Sequence, residues 1–225
     1  MKPAARWVAP FVRGVLGALC RVDASELAKV PRKGPFIIVM NHVNFLEAPL
    51  LFAHLYPAHI TALAKKETWD NPVIGAMANI WECVPIDREG SDSQAMRLAL
   101  AALDRGSILY ITPEGTRSRH GRLLRGHAGV VPLALRSGAP LLPIALAGGQ
   151  HFWPNLRRGR RTHVAFKVGE PFYVKAPPAG ASKTARAEAI EEIMGRIADL
   201  LPPEQRGVYA GGRSSPRHLM PAEFK

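Results

Sequence analysis

The stretch Phe36-Ile37-Ile38-Val39-Met40 carries no polar side chain, and Gly34-Pro35 before it and Asn41-His42 after it mark its ends. A short apolar run rich in β-branched residues reads as a strand covered on both faces. Residues 107–112 (SILYIT), after Gly106 and before Pro113-Glu114-Gly115, read the same way, as do residues 141–147 (LLPIALA). Residues 82–86 and 163–168 show weaker patterns of this kind. Helical periodicity lies between the strands. Ser91 and Gln94 have capping-box spacing, Met96, Ala99, Leu100 and Leu103 follow on one face, and Gly106 ends the segment. Later, Ile190, Ile193, Met194, Ile197 and Leu200 line another helical face that stops at Pro202-Pro203. Buried strands alternating with helices predict an α/β fold: one domain, with a largely parallel or mixed sheet flanked by helices.

The chain has 225 residues, which suits one domain with a substantial core, taken here as residues 30–201. A tail over 202–225, rich in Pro, Gly, Arg and Ser, is expected to be poorly ordered and basic. Residues 1–29 form a separate amphipathic helical segment in this reading. Trp7, Phe11, Leu16 and Leu19, flanked by Lys2, Arg6, Arg13 and Arg21, suggest a helix lying in a membrane interface. No run of about 20 uncharged apolar residues exists, so no transmembrane helix is expected. Cys20 and Cys83 are the only cysteines, so no disulfide framework is suggested, and a reducing, cytoplasmic-side location fits. Lys and Arg number 30 against 18 Asp and Glu, a net charge of +12 that favours an anionic partner. Nucleic acid is not expected as that partner, since neither zinc-finger spacing nor an aromatic RNA-binding motif is present.

The chemistry-bearing residues follow the strands. In MNHVNFLEAPLL, His42 and Glu47 can form a general base, the carboxylate holding one ring nitrogen while the other takes a proton from a hydroxyl. Positions five apart do not share a helix face, so the pair meets only if the backbone turns between them. Pro49 suits the first turn of a helix starting near Ala48. Asp87-Arg88 follows Val84-Pro85-Ile86, and a guanidinium at a strand end can fork onto a phosphate. Pro113-Glu114-Gly115-Thr116-Arg117-Ser118 adds a turn glycine, two hydroxyls and a second guanidinium. Ligands of open α/β sheets bind at the carboxyl ends of strands, so the His42 and Glu114 motifs can share one pocket. No G-x-S-x-G elbow and no close His/Cys grouping with zinc spacing is present.

Taken together, NHVNFLE, VPIDR, ITPEGTRS and PLLPIAL resemble, in order and approximate spacing, the motif set of the glycerolipid acyltransferases, specifically the bacterial 1-acylglycerol-3-phosphate acyltransferases. The resemblance covers roughly residues 30–150 and includes GPFIIVMNH and AKKETW. It implies transfer of a fatty acyl group from acyl-CoA or acyl-carrier protein, as co-substrate, to a lysophospholipid hydroxyl in phospholipid biosynthesis. It also implies no other cofactor and no metal. His42 then corresponds to the base and Glu47 to its partner. Lys65 or Lys66, Arg88, Glu114, Gly115, Thr116 and Arg117 correspond to acceptor-binding positions, and Pro143 to the acyl side. The implied partners are the acyl donor, a lysophospholipid and an anionic membrane surface, with the protein peripheral on the cytoplasmic face. The family usually carries aspartate where this chain has Glu47. The longer side chain reaches ~1.5 Å further, so the turn must adjust to keep the contact. The rival readings are a non-catalytic, membrane-surface lipid-binding protein of the same fold and an acyltransferase for a lipid acceptor other than lysophosphatidate.

Overall fold

In a computed structural model, which describes residues 2–86, 92–176, 182–211 and 217–224, every side chain of β2 (Phe36–Met40) is buried. The reason is that the strand's two faces meet two different cores. Phe36, Ile38 and Met40 pack with Ala9, Val12 and Leu16 of α1 (Ala5–Leu19) and with Leu50, Leu51 and Phe52 of α2 (Glu47–Leu55). Ile37 and Val39 pack with α4 (Asp92–Asp104), α5 (Val130–Ser137) and α7 (Ser182–Asp199), through residues such as Leu103, Val131, Ile190, Ile193 and Met194. A strand between two helical layers has no wet face, which is why its sequence does not alternate.

The remaining strands are β1 (Cys20–Asp23), β3 (Ile60–Lys65), β4 (Val84–Ile86), β5 (Ile108–Ile111), β6 (Leu141–Ala147), β7 (Thr162–Val168), β8 (Phe172–Val174) and β9 (Leu219–Pro221). They form one sheet in the order β1-β7-β6-β2-β5-β3-β4, with β8 pairing β6 and β9. β6, β2, β5, β3 and β4 run parallel, and β7, β8 and β9 introduce antiparallel pairs. The expected α/β domain with a mixed sheet between helices is therefore what this sequence folds into. Two short helices complete it: α3 (Pro72–Ile80), capped by Asn71 accepting from the Val73 and Ile74 amides, and α6 (Phe152–Leu156). Among the described residues no helix is long and apolar enough to cross a membrane.

Several expectations need correction. The boundary at residue 30 cuts through the sheet, because β1 pairs in parallel with β7 from Cys20↔Thr162 to Asp23↔Ala165. The helix α1 forms as expected, but Leu16 faces the core while Trp7, Phe11 and Val15 face outward. The described part of the tail is not poorly ordered. β9 pairs with β8, Leu219 is buried, and the Arg217 and His218 amides donate to Glu192 on α7. Phe224 also meets Phe36, with ring centroids 4.9 Å apart. A few well-placed apolar residues hold a segment whose average composition suggests disorder. The capping box at Ser91 lies outside the described residues.

Because Leu219 joins the core of α5 and α7, truncating it leaves a cavity rather than trimming a loose end. Leu219→Ala should destabilise the fold by about 2–5 kcal/mol, read as a lower urea midpoint. An unchanged midpoint would mean that the tail contributes nothing to the core.

Candidate active site

β2 and β5 are parallel neighbours, paired from Phe36↔Ile108 to Val39↔Ile111, so they end side by side. The chain leaves β2 through Asn41. Its side-chain amide donates to the Leu146 carbonyl at 3.0 Å and accepts from the Leu146 amide at 2.9 Å. The amide thus continues the ladder with β6, and the backbone is released to turn. This is one reason asparagine suits the position before His42, and sequence reasoning had assigned it no part.

The turn brings His42 and Glu47 together. His42 Nδ1 lies 3.2 Å from Glu47 Oε2, with the histidine side chain 23% exposed and the glutamate fully buried. Glu47 opens α2, and its Oε1 accepts from the Val43 and Asn44 amides, each at 3.0 Å. A buried carboxylate is costly unless such donors surround it, and the positive end of the helix dipole adds to them. Asn44 secures the turn from both ends of its amide: Oδ1 accepts from the Leu46 amide at 2.8 Å, and Nδ2 donates to the Gly149 carbonyl at 2.7 Å. The extra methylene of Glu47 is therefore accommodated by the turn, as the sequence requires. An ionised carboxylate only accepts, so Nδ1 carries the proton and Nε2 is left as the acceptor.

Glu114 occupies a different place from the one expected. It is 1% exposed, and its carboxylate turns inward. Oε1 accepts from the His42 amide at 2.6 Å, and Oε2 accepts from the Leu124 amide at 2.8 Å. It is thus a positioning residue that ties the His42 loop to the loop after β5, rather than a group facing an acceptor. The Ser118 amide donates to the His42 carbonyl at 2.8 Å and the Arg119 amide to the Val43 carbonyl at 3.2 Å, sewing the same two loops together. Gly115 makes the bend possible, with φ of 64° and the His127 ring so close that an added Cβ would lie 2.9 Å from it. Burial is the main cause that raises the Glu114 pKa to about 7, assisted by the Glu47 carboxylate; the two amides and the His42 ring oppose it.

The other candidates divide. Thr116 and Arg117 are exposed on the loop that Glu114 anchors, and Lys65 is exposed at the end of β3. Arg88 lies outside the described residues. Pro143 is buried inside β6, in register with Val39. Its carbonyl accepts from the Gly169 amide, where β6 passes from pairing with β7 to pairing with β8, so no ladder donor is missed. Tyr110, on β5, was not anticipated. Its buried hydroxyl has no hydrogen-bond partner among the described residues, and burial together with Glu47 and Glu114 raises its pKa well above the usual value. Its Tyr-Ile-Thr context reads only as strand.

A carboxyl group whose pKa is raised by folding binds a proton more tightly in the folded state. Its contribution to stability is full below about 4.5 and is lost as pH rises through about 7. Wild type should therefore lose up to about 3 kcal/mol relative to Glu114→Gln between pH 4.5 and pH 8, measured by urea denaturation at both pH values. A wild-type-minus-variant difference that is flat with pH would contradict the assignment.

Comparison with known proteins places this geometry. The model of the family described as Acyltransferase matches residues 21–147, which contain His42, Glu47 and the Glu114 loop. The 1-acyl-sn-glycerol-3-phosphate acyltransferase of Bacillus subtilis is 28% identical over 195 residues, covering 87% of this chain and 96% of that protein. The protein of the same name from Limnanthes douglasii is 30% identical over 209 residues, covering 89% and 70%. The crystal structure of the 1-acyl-sn-glycerophosphate acyltransferase PlsC from Thermotoga maritima shares the fold, with a TM-score of 0.64 at 24% identity over 87% of this chain and 78% of that one. The resemblance carried by the four motifs is thereby confirmed: the chain belongs to the acyltransferase family.

Proposed function

We propose that this chain transfers a fatty acyl group from acyl-CoA or acyl-carrier protein to the free hydroxyl of lysophosphatidate, forming phosphatidate in phospholipid biosynthesis. The observation that carries the reading is the His42–Glu47 pair, a partly exposed imidazole held by a fully buried carboxylate. The names of the relatives supply the acceptor, and the exposed Arg117, Thr116 and Lys65 suit its phosphate. Arg88, by motif position, is proposed to join them.

In the proposed reaction, Nε2 of His42 accepts the hydroxyl proton as the acceptor oxygen attacks the thioester carbonyl carbon. The tetrahedral oxyanion collapses, the C–S bond breaks, and the imidazolium returns its proton to the leaving thiolate. Glu47 keeps Nδ1 as the donor and stabilises the ring's positive charge. The protein works peripherally at an anionic membrane surface on the cytoplasmic side. The support for that is α1: Trp7 and Phe11 are 70% and 69% exposed, Val15 follows one turn on, and the Arg6 guanidinium sits over the Trp7 ring.

The deciding experiment offers purified protein an acceptor series with labelled acyl-CoA and acyl-carrier protein, and identifies the lipid product by mass spectrometry. Phosphatidate from lysophosphatidate is the expected product. His42→Ala should lower kcat by about 10²–10⁴-fold with an unchanged melting curve. Glu47→Gln should lower it by about 10²-fold or more, because the amide can present a donor to Nδ1 and cannot hold the charge. Near-normal turnover by His42→Ala would remove the general base. Lipid binding without thiol release in the wild type would favour the non-catalytic reading.

A further inference from the structure

The segment after β6 carries an exposed apolar pair that the proposed chemistry does not use. Trp153 is 50% exposed and Leu156 is 38% exposed, three positions apart on α6. Arg157, Arg158 and Arg160 follow, all exposed. This small aromatic and basic surface is built onto the catalytic turn. Phe45, between His42 and Glu47, packs edge-on against Phe152 at 5.4 Å and lies tilted against Trp153 at 5.8 Å. Asn44 donates to Gly149, just before α6.

The same segment is also joined to α1. The Arg161 guanidinium donates to the carbonyls of Gly17 and Cys20, at the end of that helix. Trp7, Phe11 and Val15 form its outward stripe, which stops two residues short of Gly17. Arg161 thus ties the segment after α6 to the end of the helix proposed to lie on the membrane, while Phe45 ties α6 to the catalytic turn.

We infer that Trp153, Leu156 and the arginines at 157, 158 and 160 form a second docking element that seats the mouth of the active site on an anionic bilayer. The inference rests on the membrane-surface reading of α1 and adds a distinct contact to it. Charge decides the occupant: half-buried aromatic and aliphatic groups beside three guanidiniums suit anionic lipid headgroups over acyl chains. With α1 as the only contact, the bilayer would hold the protein by one edge. With α6 seated as well, a lipid acceptor reaches His42 from the bilayer without crossing water.

The test uses the full chain and vesicles of phosphatidylglycerol and phosphatidylethanolamine. Trp153→Ser with Leu156→Ser should weaken vesicle binding by about tenfold or more. A second variant, Leu156→Ser with Arg157→Gln, Arg158→Gln and Arg160→Gln, avoids the Phe45 contact. It should weaken binding to a similar degree and lose most of the dependence on phosphatidylglycerol content. The second variant should acylate a short-chain, monomeric acceptor at the wild-type rate and a vesicle-embedded acceptor about tenfold more slowly. Unchanged vesicle binding by the second variant overturns the inference, as does wild type that ignores vesicles. A wild type that binds vesicles through α6 but acylates no acceptor would contradict the proposed reaction while leaving the docking element standing.

Discussion

The site depends on a carboxylate that has been taken out of water. Glu114 is buried between two loops, and its two oxygens answer the amides of His42 and Leu124. Those amides lie beyond the strand ends, where no ladder partner exists for them. A buried amide without an acceptor and a buried carboxylate without a donor are each costly, so the two requirements satisfy one another. The consequence is positional. The backbone of His42 is held from the loop after β5, not only by its own strand. The burial that makes the clamp also raises the Glu114 pKa to about 7. The clamp therefore sits near its own titration point.

Glu47 applies the same physics to the other side of His42. One oxygen holds the turn through Val43 and Asn44, and the other faces the imidazole. Two buried glutamates thus divide the work: Glu114 sets where the histidine backbone lies, and Glu47 sets which ring nitrogen carries the proton. Glu47 acts within its own turn, whereas Glu114 reaches His42 because the parallel pairing of β2 and β5 brings two chemically different loops to one edge. The exposed Thr116 and Arg117, proposed to meet the acceptor's phosphate, then lie on a loop already fixed by Glu114.

The central strands were legible because burial on both faces removes every polar residue from β2 and most from β5 and β6. β3 was not, because ITALAK mixes alanine and lysine with few β-branched residues. β1 and β9 were not, because each is short and takes its stability from a partner distant in sequence. The His42–Glu47 contact could be read because both residues lie in one turn whose geometry Pro49 and the following helix constrain. Glu114 could not be assigned correctly. Its motif shows a carboxylate among polar residues, and only the fold shows that the amides it answers lie at His42, across the sheet edge, and at Leu124. Leu16 was misplaced for a related reason, since a helix with apolar residues on more than one side does not say which side meets the core.

The central claim is that Glu47 reserves one imidazole nitrogen for proton transfer. Nitrogen NMR of the histidine-labelled protein, with the His42 signal assigned by its loss in His42→Ala, measures this most directly. At a pH where the ring is neutral, the account predicts a protonated Nδ1 and an unprotonated Nε2, with that preference weakened in Glu47→Gln. A wild-type ring carrying its proton on Nε2 would contradict it.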